Sequence, residues 1–184
     1  MLIALTGYKG SGKDTCADYL VEKYGYTKIA FASPLKDLLK LLFLYSDDQL
    51  YGHLKEVPDH RWYGCSPRAS MQYIGTEWIR KQLDTIMPGI GEDYFVNRLN
   101  YWYQQQLLLN PNIKVVISDL RHFQNEIDLV KKLNAVIVEI DRPQLNKQDT
   151  HQSEQRVNNV DETIINDNTL DDFYNKIDEL MKNI

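Results

Sequence analysis

The 184-residue chain is 43% hydrophobic and 26% charged and carries a net charge of −5. These proportions are those of an ordinary globular protein, long enough to build a core without disulfides or a structural metal. The acidic balance argues against a broad nucleic-acid-binding face, which is made from surplus Lys and Arg, while leaving room for a small basic pocket that takes a nucleotide.

The chain opens with an apolar run at 2–5 that reads as a buried strand. A Gly-rich turn follows, then a helix through Tyr24 with Cys16, Ala17, Leu20 and Val21 on one face, stopped by Gly25. Residues 28–32 read as a second strand. Pro34 opens a helix to about Leu44, at the first-turn position where proline is tolerated. Residues 46–67 are polar, interrupted by Gly52, Pro58 and Gly64, and read as an irregular, mobile insertion. The spans 69–87 and 92–109 read as helices. Residues 113–118 form the clearest strand, followed by a helix with Phe123, Ile127 and Val130 at helical spacing. Another β-branched strand spans 135–140, a polar lid-like segment 142–160, a short strand 163–165 and a final amphipathic helix 170–184.

Strands alternate with helices, and the strands are apolar without strict alternation. That pattern predicts an α/β fold of three layers, a mainly parallel sheet of about five strands covered by helices on both faces. It is read as one domain over 1–184, with a helical insertion at about 34–109. Two cysteines, Cys16 and Cys65, make no disulfide framework. Cys16 is expected to be a small buried hydrophobe in a reducing compartment. The N-terminus lacks the basic region of a signal peptide. No apolar run approaches the roughly 20 residues that span a bilayer. A cytoplasmic protein with no membrane partner is expected.

The chemistry starts at Gly7-Tyr8-Lys9-Gly10-Ser11-Gly12-Lys13-Asp14-Thr15, a full match to G-x-x-x-x-G-K between a strand and a helix. Glycines let backbone N–H groups wrap phosphate oxygens, and the helix N-terminus adds partial positive charge. This is a phosphate loop, and the fold expected with it is that of the P-loop NTPases. Gly10, Ser11, Gly12, Lys13, Asp14 and Thr15 are its candidate contacts. Lys13 supplies a full charge at the β- and γ-phosphates and is expected to face solvent until a nucleotide arrives. The residue after the lysine is ordinarily Ser or Thr; here it is Asp14, with Thr15 one position later. That shift points to small-metabolite kinases and leaves the direct Mg²⁺ ligand open.

Ser118-Asp119-Leu120-Arg121 closes the third strand, where ligands bind in open parallel sheets. Asp119 can hold water on Mg²⁺ and Arg121 can reach a phosphate; the plainer alternative is a helix-capping Asp with a solvated Arg. Arg68, Gln72, Thr76 and Arg80 recur every four residues. On an unbroken helix they share one face that suits an acceptor carrying a phosphate and a base, or they form a solvated face. Arg142, with His151, Ser153, Glu154 and Arg156 beyond it, lies in the late polar segment. Its arginines either close over transferring phosphates or belong to a surface loop.

The combination GYKGSGKDT, FASPLK, SPR with QYIGTEWIR, SDLRHFQNE, HQSE and IINDNTLDDF resembles the bacteriophage and viral deoxynucleoside monophosphate kinases over nearly the whole chain, in the same order. The phosphate loop alone is shared by a superfamily; the GTEWIR and SDLRHFQNE blocks are more specific. The resemblance implies an ATP- and Mg²⁺-dependent kinase of a deoxynucleoside monophosphate. Lys13 and Thr15 then belong to the ATP site, Asn166 lies near the donor adenine, and Ser33, Lys36, Arg68, Gln72, Thr76, Arg80 and Glu154 serve the acceptor. Asp119 and Arg121 sit between the two, and Thr15 and Asp119 are the candidates for Mg²⁺, directly or through water. The resemblance also suggests a homodimer, and the acidic balance leaves no nucleic-acid polymer as an expected partner. Two alternatives stay open: a kinase of another small metabolite, such as dephospho-coenzyme A, phosphomevalonate or a sugar acid, and a nucleotide-binding switch. The base accepted is not readable from the residues.

Overall fold

The computed structural model describes residues 1–145 and 157–184. The chain divides into two compact units, one made of Met1–Ala30 with Leu99–Ile184, the other of Phe31–Arg98.

Among the described residues the first unit holds five strands: β1 Leu2–Thr6, β2 Thr27–Ile29, β3 Val115–Ile117, β4 Val136–Asp141 and β5 Glu162–Ile165. They form one parallel sheet in the order β2-β3-β1-β4-β5. The unalternating apolar runs LIALT and VVI predict burial on both faces, and β1 and β3 are buried along their whole lengths. At one edge, β5 buries only Ile164. Helix α1, Lys13–Tyr24, ends at Gly25, whose left-handed backbone (φ 71°) turns its N–H back to Leu20 O and Val21 O. The core cluster joins Leu20 of α1 and the late residues Phe173 and Ile177 to Ile3, Val116 and Val138 of the sheet. Cys16 is in it too, fully buried, and burial pushes its thiol up to about 12.

The second unit is helical. Helix α2, Ser33–Phe43, carries a proline in its first turn, and α3, Asp47–Leu50, starts with a reciprocal capping box between Ser46 and Gln49. Residues 46–67, expected to be irregular, are instead tied down by a polar hub. Asp59 accepts hydrogen bonds from Gln49 Nε2 (2.7 Å), the Arg61 backbone N–H (3.0 Å) and the Arg61 guanidinium (2.7 Å). Arg61, above all, holds the Asp59 carboxyl well below the usual carboxylate range. Trp62 Nε1 donates to Phe43 O at 2.9 Å. Order that comes from side-chain hydrogen bonds leaves no apolar period to read.

The expected helix over 69–87 also differs. Helix α4, Pro67–Tyr73, is capped by the Ser66 hydroxyl and passes without a break into a π-helical stretch, Ile74–Gln82, where the Leu83 N–H reaches back five residues to Trp78 O. A short 3₁₀ turn, Leu83–Thr85, follows, and α5, Tyr94–Leu109, runs on into the first unit's share of the chain. Helix α6, Gln124–Lys132, and helix α7, Leu170–Asn183, lie further along the chain. No helix among the described residues is long and apolar enough to cross a membrane.

Candidate active site

Because the sheet is parallel, the segments leaving β1, β3, β4 and β5 emerge at one end. The phosphate loop follows β1, Asp119 and Arg121 follow β3, Arg142 follows β4, and Asn166 follows β5. Hydrogen bonds draw them together: the Leu120 N–H donates to Leu5 O (3.0 Å) and the Asn166 N–H to Asp141 O (2.7 Å). This is the switch-point geometry in which ligands bind beyond the carboxyl ends of the strands.

The loop itself needs its glycines. Gly7 has φ 137°, and a Cβ there would run into the Ile140 carbonyl oxygen of the neighbouring strand. Gly12 has φ 112°, and a Cβ would lie 2.7 Å from Asn166 Nδ2 and 3.4 Å from the Phe173 ring. Gly12 is also the N-cap of α1 and makes no side-chain cap, and a helix N-terminus offers partial positive charge to an anion. Asn166 Nδ2 donates to Ser11 O at 2.8 Å, fixing the far wall of the loop.

Lys13 is not the solvent-facing charge expected from sequence. Its ammonium donates to Gly7 O (2.6 Å) and Tyr8 O (2.9 Å), folded onto the carbonyls of its own loop. A flexible cation next to two backbone acceptors satisfies its donors there.

A pocket of about 360 Å³ opens at this end, lined by Gly10, Gly12, Lys13, Asp14, Thr15, Arg142 and Asn166, with Asn168, Leu170 and Phe173. Seven of the residues singled out from sequence therefore share one cavity. Ser11 is buried behind it, and Asp119 and Arg121 lie at the neighbouring strand end without lining it. Asn168 and Leu170 were within a quoted motif but given no role, and Phe173 was read only as an apolar position of its helix. The signal that reaches them is proximity to Asn166, one loop after the last strand.

Glu126, also without a role in the sequence reading, is fully buried, and its Oε2 accepts the Arg121 backbone N–H at 3.2 Å. It holds the turn on which Asp119 and Arg121 ride. Glu126→Leu removes that acceptor, at a cost of about 1–3 kcal/mol. It is expected to lower both the melting temperature and turnover, whereas Glu126→Gln, which keeps an acceptor oxygen, retains most of each. Unchanged values for Glu126→Leu in thermal denaturation and steady-state kinetics would show that the carboxylate does not hold the turn.

The acceptor candidates Ser33, Lys36, Arg68, Gln72, Thr76 and Arg80 all lie in the second unit. Lys36 stands 4.1 Å over the Tyr51 ring. Arg68 pairs with Glu56 (3.2 Å). Arg80 lies in the π-helical stretch, and its guanidinium packs 5.0 Å from the Phe95 ring centre and donates to Glu92 O (3.4 Å). Glu154, with His151, Ser153 and Arg156, lies outside the described residues. Among the described residues, no three His, Cys, Asp or Glu side chains converge to hold a metal.

A family model for deoxynucleotide monophosphate kinases matches residues 1–66 and 66–177. The chain belongs to the deoxynucleotide monophosphate kinase family. A protein of Acanthamoeba polyphaga mimivirus, provisionally named for the same activity, is 45% identical over 182 residues, covering 96% of this chain and 94% of its own. The deoxynucleotide monophosphate kinase of Enterobacteria phage T4 is 22% identical, with 98% of each chain covered. Among solved structures, a dephospho-CoA kinase from Campylobacter jejuni superposes with a TM-score of 0.52 at 16% identity, covering 98% of this chain and 95% of its own. The Mycobacterium tuberculosis APS kinase in complex with AMPPNP and APS gives 0.51 at 16%, covering 98% and 96%. At that identity the likeness is one of fold, and it is the P-loop kinase fold. The strand order and the loop after β1 already describe it.

Proposed function

We propose that the protein transfers the γ-phosphoryl group of ATP to the phosphate of a deoxynucleoside monophosphate. The observation that carries this reading is membership of the deoxynucleotide monophosphate kinase family together with the phosphate cradle of Gly7 to Thr15 at the N-terminus of α1. In the reaction an acceptor phosphate oxygen bonds to the γ-phosphorus, the β–γ bridging bond breaks, and ADP leaves with that bond's electron pair.

Such a transfer depends on positioning and charge neutralisation more than on covalent chemistry. Backbone N–H groups of the loop and the first turn of α1 hold the donor phosphates. Lys13 exchanges its two carbonyl partners for phosphate oxygens. Arg142 lines the same pocket and adds charge beside them, and Arg121 faces the transfer from the β3 end. Phe173 and Leu170 give the pocket an apolar wall for the donor base, with Asn166 and Asn168 at its edge. On the acceptor side, Ser33, Lys36, Arg68, Gln72, Thr76 and Arg80 provide phosphate and base contacts. The Thr15 hydroxyl would hold Mg²⁺, with Asp119 acting through water; bound there, the ion neutralises phosphate charge.

A coupled assay of ADP release tests the proposal, with ATP and a panel of deoxynucleoside monophosphates and dephospho-coenzyme A. At least one deoxynucleoside monophosphate should stimulate ADP release many-fold over ATP alone. Release that needs no acceptor, or that responds only to dephospho-coenzyme A, would overturn it.

A further inference from the structure

Asp14 stands directly after Lys13 and lines the pocket, so the chain places a carboxylate at an anion site. A negative charge there opposes the binding of phosphates unless something offsets it. The offset is Lys28 on β2. Its ammonium lies 3.0 Å from Asp14 Oδ1 and 2.9 Å from Asp18 Oδ1, one turn further along α1. The Lys28 side chain is 30% exposed, against 69% for Asp14 and 61% for Asp18. Partial burial pulls the Lys28 ammonium down, but its bonds to Asp18 and Asp14 and their charges outweigh that, and the net direction is upward. Lys28 is therefore charged at neutral pH. Ion pairs with carboxylates this exposed contribute little to folding, so stability is a poor account of the arrangement.

We infer that Lys28 is a positioning residue for the donor phosphates, resting on the ATP site proposed above. It neutralises Asp14 and draws that carboxylate toward β2, leaving Lys13, Arg142 and the N-terminus of α1 as the charges that a triphosphate meets. Lys28 itself does not line the pocket. It acts on the ligand only through Asp14.

The test is direct binding of ATP and of adenosine, without added Mg²⁺, to the wild-type protein, Lys28→Met, Lys28→Arg and the double variant Lys28→Met/Asp14→Asn. Lys28→Met should weaken ATP about 3- to 10-fold, as expected for one uncompensated charge near the phosphates. Adenosine, which has no phosphate, should bind that variant as it binds wild type. Lys28→Arg and the double variant should return ATP affinity to within about twofold of wild type, since each restores the charge balance. Equal weakening of adenosine, no weakening of ATP, or a double variant as weak as Lys28→Met would overturn the role of Lys28. A wild-type protein that binds no ATP would overturn the donor site itself, a separate outcome.

Discussion

Replacing Lys13 by alanine is expected to lower phosphoryl transfer at least ~100-fold while the folded state persists. The two halves of that expectation come from different contacts. In the fold, the Lys13 ammonium donates to Gly7 O and Tyr8 O, both on its own loop. Losing two partly exposed side-chain bonds costs about 1 kcal/mol. The loop keeps its shape through the left-handed glycines, the Ser11 N–H to Tyr8 O bond (3.0 Å) and the Asn166 anchor on Ser11 O. In the proposed reaction, by contrast, Lys13 is the full positive charge on the loop side of the transferring group, and charge aimed at the transition state is worth most in a site that excludes water. Circular dichroism and thermal denaturation read the first half, and acceptor-dependent ADP release reads the second. A folded Lys13→Ala protein with near-normal turnover would sink the assignment of the phosphate loop.

How much of this was legible before the fold was known depends on what holds each part. The sheet was legible because β1 and β3 are buried along their whole lengths, and such strands must be apolar runs. The phosphate loop was legible because its geometry demands glycine: Gly7 has no room for a Cβ beside Ile140 O, and Gly12 none beside Asn166. Nothing comparable marks the π-helical stretch. A hydrogen bond that closes over five residues instead of four leaves no signature in composition, so residues 69–87 read as an ordinary helix. Asp59 escaped notice for a related reason. Its hub with Gln49 and Arg61 is made of polar residues that look, in sequence, like any solvated loop. The position of Lys13 on its own carbonyls was also invisible, because the sequence shows a charge and not what that charge rests on.

The two arginines proposed for the acceptor, Arg68 and Arg80, should separate in experiment, and the separation tests the site. Arg68 is bonded to Glu56, whose side chain is 53% exposed. Such a pair adds no more than about 1 kcal/mol to folding, so Arg68→Ala should leave the melting temperature nearly unchanged. If its guanidinium meets the acceptor phosphate, the same change should raise the acceptor KM or lower kcat about tenfold to a hundredfold, the worth of a charge-assisted contact. ATP binding should be barely affected. Arg80 is only 8% exposed. Its guanidinium lies over Phe95 and donates to Glu92 O, and its carbon stem is buried with it. Loss of the cation–π contact and the packing is worth about 1–3 kcal/mol, so Arg80→Ala should lower the melting temperature as well as weaken the acceptor. Thermal denaturation, acceptor kinetics and ATP binding on the two variants distinguish the cases. If Arg68→Ala destabilises as much as Arg80→Ala and leaves the acceptor KM and kcat alone, then α4 does not bear the acceptor phosphate. If both variants mainly weaken ATP, the donor and acceptor sides have been exchanged.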